Sequence, residues 1–122
     1  MQIISTDKAL RFNEGKPDLT YPLSARYALE GAAMVMVYGD QKYTTRDKDG
    51  NVLFSGRDNW KRGLSIHNCF ASMTRHMVKV LEGELIDPES GLPHLDHITC
   101  NALFVAHLHN GRKANELITT TS

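Results

Sequence analysis

Apolar residues recur at helical spacing in three stretches of this chain, and a shorter stretch between the first two breaks the rhythm. The clearest repeat is Ile66, Cys69, Phe70, Met73, Met77, Val80 and Leu81, which predicts an amphipathic helix from about Ile66 to Gly83 with Ser65 as its N-cap. Glu84 is the next position on that stripe. A helix that reaches it carries an acid on its core-facing seam. If Gly83 stops the helix, Glu84 is an acid at a C-terminus, where the helix dipole disfavours it. His76 lies on the flank of the stripe.

A second repeat predicts a helix from Pro22 or Ser24 to Lys42. Leu29, Ala32, Ala33, Met36 and Val37 form its apolar face, but Met34, Val35 and Tyr38 leave little polar surface elsewhere, so the helix is expected to be buried on most sides. Glu30 stands out there, with Met34 and Val37 as its neighbours one and two turns on. A carboxylate in apolar surroundings needs a cation, either a metal or a basic partner such as Arg26 or Arg75. The third repeat starts at Pro93, which suits a first turn, and runs to about Asn110 with Gly111 ending it. Leu95, Ile98, Ala102 and Val105 are its expected core face. His94, His97 and Asn101 fall within about 60° of one another beside it, as metal ligands or as hydrogen-bonding partners.

Between the first two helices, residues 44–58 contain Asp49-Gly50 flanked by short β-prone pieces, which predicts a small hairpin. Trp60 follows between Asn59 and Lys61. The indole could stack on a base beside an amide and a phosphate-seeking cation, or it could cap the core where the loop rejoins the bundle. Residues 1–21 read as an extended or irregular arm with turn chemistry at Gly15 and Pro17, and 112–122 as a frayed tail.

Composition narrows the class without naming a chemistry. A length of 122 residues suits one domain spanning 1–122. The 14 basic and 14 acidic residues cancel, which argues against a duplex nucleic-acid binder that relies on phosphate neutralisation. Cys69 and Cys100 sit in apolar helical patterns and read as reduced core thiols. No signal-like or bilayer-spanning run is present in the sequence, so a cytoplasmic protein with no membrane partner is expected.

The densest polar chemistry is in RHMVKVLEGELIDPESGLPHLDHITCN, from Arg75 to Asn101. Oxygen and imidazole groups at that density suit a divalent metal or a water-activating site. An HD-type phosphohydrolase is not indicated, because no His is followed directly by Asp. Three blocks resemble the phage dATP/dGTP diphosphohydrolase family: Asn13-Glu14-Gly15-Lys16-Pro17; Lys42-Tyr43 with Gly56 through Gly63; and Arg75-His76 through Gly83-Glu84-x-x-Asp87-Pro88-Glu89-Ser90-Gly91 to His94-x-x-His97.

The resemblance implies an all-α, MazG-like helical bundle with a small β-hairpin insertion. It implies hydrolysis of a purine deoxynucleoside triphosphate, dGTP or dATP, to monophosphate and pyrophosphate with Mg²⁺ or Mn²⁺. Glu30, Glu84 and Asp87 would hold the metal, and Glu84, His76 and His97 would serve the reacting water. Lys16, Lys42, Lys61 and Arg75 would meet the phosphates, with Asn59, Trp60, His94 and Asn101 as further substrate contacts. Two departures stand out. Family members usually join the Lys42-Tyr43 and Gly56-Arg57 elements directly, whereas 12 residues, Thr44 to Ser55, intervene here. MazG-like enzymes pair E-x-x-E with E-x-x-D; Glu84-x-x-Asp87 supplies the second, but the first helix offers only Glu30, so a histidine would replace a carboxylate. A homo-oligomer, dimer or tetramer, is expected, since three such helices bury poorly alone. The rival reading is a non-catalytic phage accessory protein that binds a nucleotide or a host protein.

Overall fold

Ser65 begins the middle helix as its position suggests, its side chain accepting from the Asn68 N–H at 3.2 Å. The computed structural model describes residues 14–111; the expectations attached to residues 1–13 and to the tail 112–122 lie outside the described residues. A 3₁₀ turn, Tyr21–Ala25, holds Pro22 in its first positions and leads into α1, Arg26–Tyr43. The α-helix thus starts later than Pro22 or Ser24. Ser24 donates its hydroxyl back to the Tyr21 carbonyl at 2.9 Å and caps nothing. A hairpin follows, β1 (Thr45–Arg46) with β2 (Val52–Phe54), then a 3₁₀ turn at Asn59–Lys61, α2 (Ile66–Leu81) and α3 (His94–Asn110). The expected mostly helical fold with a small β insertion is what the chain adopts.

Helix α3 packs against both α2 and α1. The tightest cluster is Ile66, Cys69 and Val105, with Leu64, Phe104 and Leu108 against it. All three expected faces need correction. In α2 Ile66 and Cys69 are buried, whereas Phe70, Met77 and Leu81 on the same stripe are exposed. In α3 the buried positions are His94, His97, Cys100 and Val105, whereas Leu95 and Ala102 are exposed. The helix is apolar on more than one side, so spacing alone could not select its inward face. In α1 only Ala32 and Val35 are buried; Ala33, Met34 and Val37 face out of the single chain. Tyr27 on α1 and Leu81 at the end of α2 are both 85% exposed. No helix among the described residues is long and apolar enough to cross a membrane.

The hairpin is antiparallel, pairs Thr45 with Phe54 and Arg46 with Val52, and slips register between them. Its turn is held by Asp47, whose carboxylate accepts from the Asp49 and Asn51 N–H groups, while Gly50 takes a φ of 86°. Its root is closed by Thr44. That hydroxyl donates to the Asp40 carbonyl at 2.6 Å and accepts from the Gly56 N–H at 2.8 Å. Gly56 is buried against the end of α1, and a Cβ there would overlap the backbone of Asp40, Tyr43 and Thr44.

Candidate active site

Gly83 decides where Glu84 goes. It ends α2 with a φ of 95°, donating to the Val80 carbonyl at 3.0 Å, while Glu84 N–H reaches back to Lys79 at 2.9 Å. This left-handed stop satisfies the last carbonyls of the helix and swings the chain across the bundle. The following loop is closed by Asp87 N–H on Leu92 O at 2.9 Å, Gly91 N–H on Asp87 O at 2.7 Å and His94 N–H on Leu85 O at 2.9 Å. Glu84 is therefore the acid beyond a stopped helix. Its position there is not idle, because the reversal puts its Oε2 2.9 Å from His94 Nε2.

Three imidazoles meet behind that loop. His76 and His94 approach through their Nδ1 atoms at 2.8 Å, and the His76 and His97 rings stack in parallel, 6° apart in plane and 4.5 Å between centroids. His97 Nε2 lies 2.7 Å from Ser90 Oγ and 3.4 Å from Asp87 Oδ2. The Ser90 hydroxyl donates to Asp87 Oδ2 at 3.1 Å and accepts from Leu92 N–H at 3.2 Å. Burial pushes the His76 imidazole below the ordinary histidine range, and the His97 and His94 rings push the same way. Burial lowers His97 also, against the pull of Asp87. Asp87 is raised by burial but held below the carboxylate range overall by the Glu89 N–H, the Ser90 hydroxyl and His97. The neighbourhood thus favours neutral His76 and His97 rings beside an ionised Asp87 carboxylate.

These groups open on a cavity of about 1020 Å³, near the upper size for pockets that hold small molecules. Ten of the residues marked out by the sequence line it. Lys42 and Arg75 contribute cations, and Asn59, Trp60 and Asn101 contribute amide and aromatic surface. Glu84, Asp87, His76, His94 and His97 contribute the acid and imidazole groups. Three others are not brought to it. Glu30 is exposed on α1 and paired with Arg26 at 2.7 Å, since its apolar sequence neighbours point away from the core of this chain. Lys61 leans on Asp58 at 3.4 Å and Lys16 is exposed. His94 also departs from a substrate-contact role: it is 3% exposed and both ring nitrogens are engaged by side chains.

Trp60 meets the core-cap reading and also borders the cavity. Its ring stacks on Phe104 at 4.4 Å, which ties it to the core cluster, and it lines the cavity. Among the described residues no three His, Cys, Asp or Glu side chains form a ready metal cage. The donor chemistry still suits a hard cation. Glu84 uses only Oε2 in a hydrogen bond, and Asp87 is ionised.

A family model described as dATP/dGTP diphosphohydrolase, N-terminal, matches residues 6–116. The chain belongs to that family. A protein of Salmonella phage PMBT28 named dATP/dGTP diphosphohydrolase is 29% identical over 107 residues, which is 88% of this chain. Those residues are 32% of the phage protein, so this chain spans about a third of the length of that relative. No solved structure matches.

Within this diphosphohydrolase N-terminal domain, two residues of the site escaped the sequence reading of roles. Ser90 joins Asp87 to His97, and Glu89 holds Lys42 at 2.9 Å while facing the Tyr38 hydroxyl at 3.5 Å. Both lie in the Asp87-Pro88-Glu89-Ser90-Gly91 turn, and an Asp followed three residues later by Ser in a turn was the available signal.

Proposed function

We propose that this chain hydrolyses a purine deoxynucleoside triphosphate, dGTP or dATP, to the monophosphate and pyrophosphate in a metal-dependent reaction. The observation that carries the reading is one cavity lined both by an acid–imidazole cluster and by Trp60, Asn59, Lys42 and Arg75. A flat aromatic wall suits a base, cations suit phosphates, and neutral imidazoles suit proton abstraction from water. Glu84 and Asp87 would hold Mg²⁺ or Mn²⁺. Mg²⁺ in particular is commonly bound by one or two carboxylates, with water and substrate phosphates completing its shell, so no all-protein cage is required. When bound, the ion supplies charge neutralisation to the triphosphate and lowers the pKa of water.

The chain's own part is to orient the substrate and take the proton of a water attacking the α-phosphorus, from which pyrophosphate leaves. Lys42 must exchange Glu89 for phosphate when substrate enters. That exposed ion pair is worth only about 0–1 kcal/mol, so exchange is cheap. We also infer a homo-oligomer, because Leu23 in the 3₁₀ turn and Tyr27, Met34 and Val37 on α1 leave apolar surface open.

A panel of deoxynucleoside triphosphates assayed for pyrophosphate release, with Mg²⁺, Mn²⁺ and chelator, tests the reading. Purine-selective, chelator-sensitive release is expected, and Glu84→Gln should abolish it while the metal-free protein melts like wild type. Tight nucleotide binding with no release from any of the four would leave a binding protein instead.

A further inference from the structure

Between the two ends of the cavity stands a polar pair with no part in the proton and metal chemistry. On α3, Asn101 lies about 6 Å along the helix axis from the level of His97 and about 4.5 Å from that of Phe104. His97 stacks on His76 at the reacting end, and Phe104 carries Trp60 at the other. Ser72, one turn before His76 on α2, meets Asn101 across the seam between the helices, with 3.5 Å from Asn101 Nδ2 to Ser72 Oγ. All six side chains line the cavity.

The orientation of the Asn101 amide follows from its neighbour. Its 2.9 Å contact is with the His97 carbonyl oxygen, which only accepts, so the amide nitrogen is on that side and Oδ1 on the other. Oδ1 has no partner among the described residues, and no buried side-chain oxygen among them lacks one, so Oδ1 is accessible. The Ser72 hydroxyl accepts the long Asn101 contact and keeps its proton to donate. A phosphate is a poor guest for this pair, because its oxygens would meet Oδ1 as acceptor against acceptor. A fixed acceptor beside a free hydroxyl proton suits a group that donates and accepts at once, which is a hydroxyl.

We propose that Asn101 and Ser72 hold the deoxyribose of the substrate, Asn101 Oδ1 accepting from its 3′-hydroxyl and the Ser72 hydroxyl donating to it. The assignment rests on the nucleotide reading of the cavity given above. With the base against Trp60 and the α-phosphorus at the acid–imidazole cluster, covalent connectivity leaves only the sugar for the level between them. In a 2′-deoxy sugar the one free hydroxyl is at C3′. The contact is thus made to a part that dGTP and dATP share, so it fixes the nucleotide along the cavity without choosing between the two purines.

The 2′,3′-dideoxy analogue ddGTP lacks that hydroxyl and tests the pair. Loss of two hydrogen bonds predicts a kcat/KM about fivefold to a hundredfold below that of dGTP. Asn101→Ala should lower the dGTP:ddGTP ratio by about twofold to tenfold, with dGTP and dATP losing equally, and Ser72→Ala should lower it by a similar factor. Wild-type protein that treats dGTP and ddGTP alike overturns the inference. So does an Asn101→Ala protein in which the dGTP:dATP ratio moves while the dGTP:ddGTP ratio stays, since Asn101 would then read the base. Binding separates the sugar contact from hydrolysis. The α,β-methylene analogues of dGTP and ddGTP carry carbon in place of the scissile oxygen, and their calorimetric Kd values on wild-type protein should differ by about fivefold to a hundredfold. Equal Kd values overturn the inference even if Asn101→Ala fails to fold. The expected difference in a protein that releases no pyrophosphate from dGTP would uphold the sugar contact and sink the diphosphohydrolase reading.

Discussion

Two glycines should respond to alanine with opposite signs. Gly56 lies where a Cβ would overlap the Asp40 carbonyl oxygen and come within 2.7 Å of Thr44 N and 2.9 Å of Tyr43 C. All three are backbone atoms at the end of α1, so no rotamer change can make room. Separation must instead open the root of the hairpin. Overpacking of this kind costs about 1–3 kcal/mol. The Gly56 N–H to Thr44 Oγ1 bond, now 2.8 Å, is stretched with it, at about 0.5–1.5 kcal/mol. The sum centres near 3 kcal/mol, which at about 5 °C per kcal/mol is a fall in Tm of about 15 °C for a chain of this size. Gly39, inside α1, has nothing within 4 Å of its Cβ position. There alanine only removes glycine's helix penalty, and Gly39→Ala should gain about 0.5–1 kcal/mol. Thermal denaturation of both variants, with amide exchange across Thr45–Phe54, checks the pair. A Gly56→Ala protein with wild-type Tm and unchanged exchange in the ladder would refute the packing argument.

Three further outcomes are expected. Trp60→Ala should lose the Phe104 stack, about 0.5–1.5 kcal/mol beyond its area, and raise KM for dGTP and dATP by similar factors of about 10–100; a lower Tm with unchanged KM would make the indole a core cap alone. Because His76 and His97 titrate lower folded than unfolded, the unfolded chain binds more protons between the two values. Stability in metal-free buffer should therefore fall as pH drops below the ordinary histidine value of 6.5 and level off below the lowered folded values, and Tm flat between pH 7 and 5 would contradict this. Joining Tyr43 directly to Gly56 should leave the three helices folded, since the hairpin packs chiefly on itself, and a loss of helical circular dichroism would show the reverse.

Local signals carried most of the fold in the sequence. Ser65 and Gly83 bracket α2 through cap chemistry that needs no tertiary partner, and Asp49-Gly50 marks the hairpin turn for the same reason. Orientation was less legible. On α3 the polar His94 and His97 turn inward while Leu95 turns out, because the rings have carboxylate and imidazole partners waiting on α2 and its loop. Spacing cannot register partners that are supplied from elsewhere. Glu30 shows the same logic in reverse: its pairing with Arg26, one of the two partners open to it from the sequence, is made on an exposed face and not in the apolar surroundings its helix neighbours suggested. The Glu84–Asp87 pair and the histidines were legible as a constellation, whereas the bonds among them were not. Those depend on the angle at which one turn leaves a helix.

That angle makes Gly83 a residue of unusual consequence. Any L side chain there must be forced into a left-handed conformation at a cost of about 1–2 kcal/mol, or else the helix continues. Continuation would carry Glu84 round by a further helical step and away from His94. A library of variants scored only by activity would then rank Gly83 among the residues that perform the chemistry, although it has no side chain and lines no part of the cavity. Scored by folding, the same position would look nearly ordinary. The two rankings would separate a residue that reacts from one that merely sets a direction.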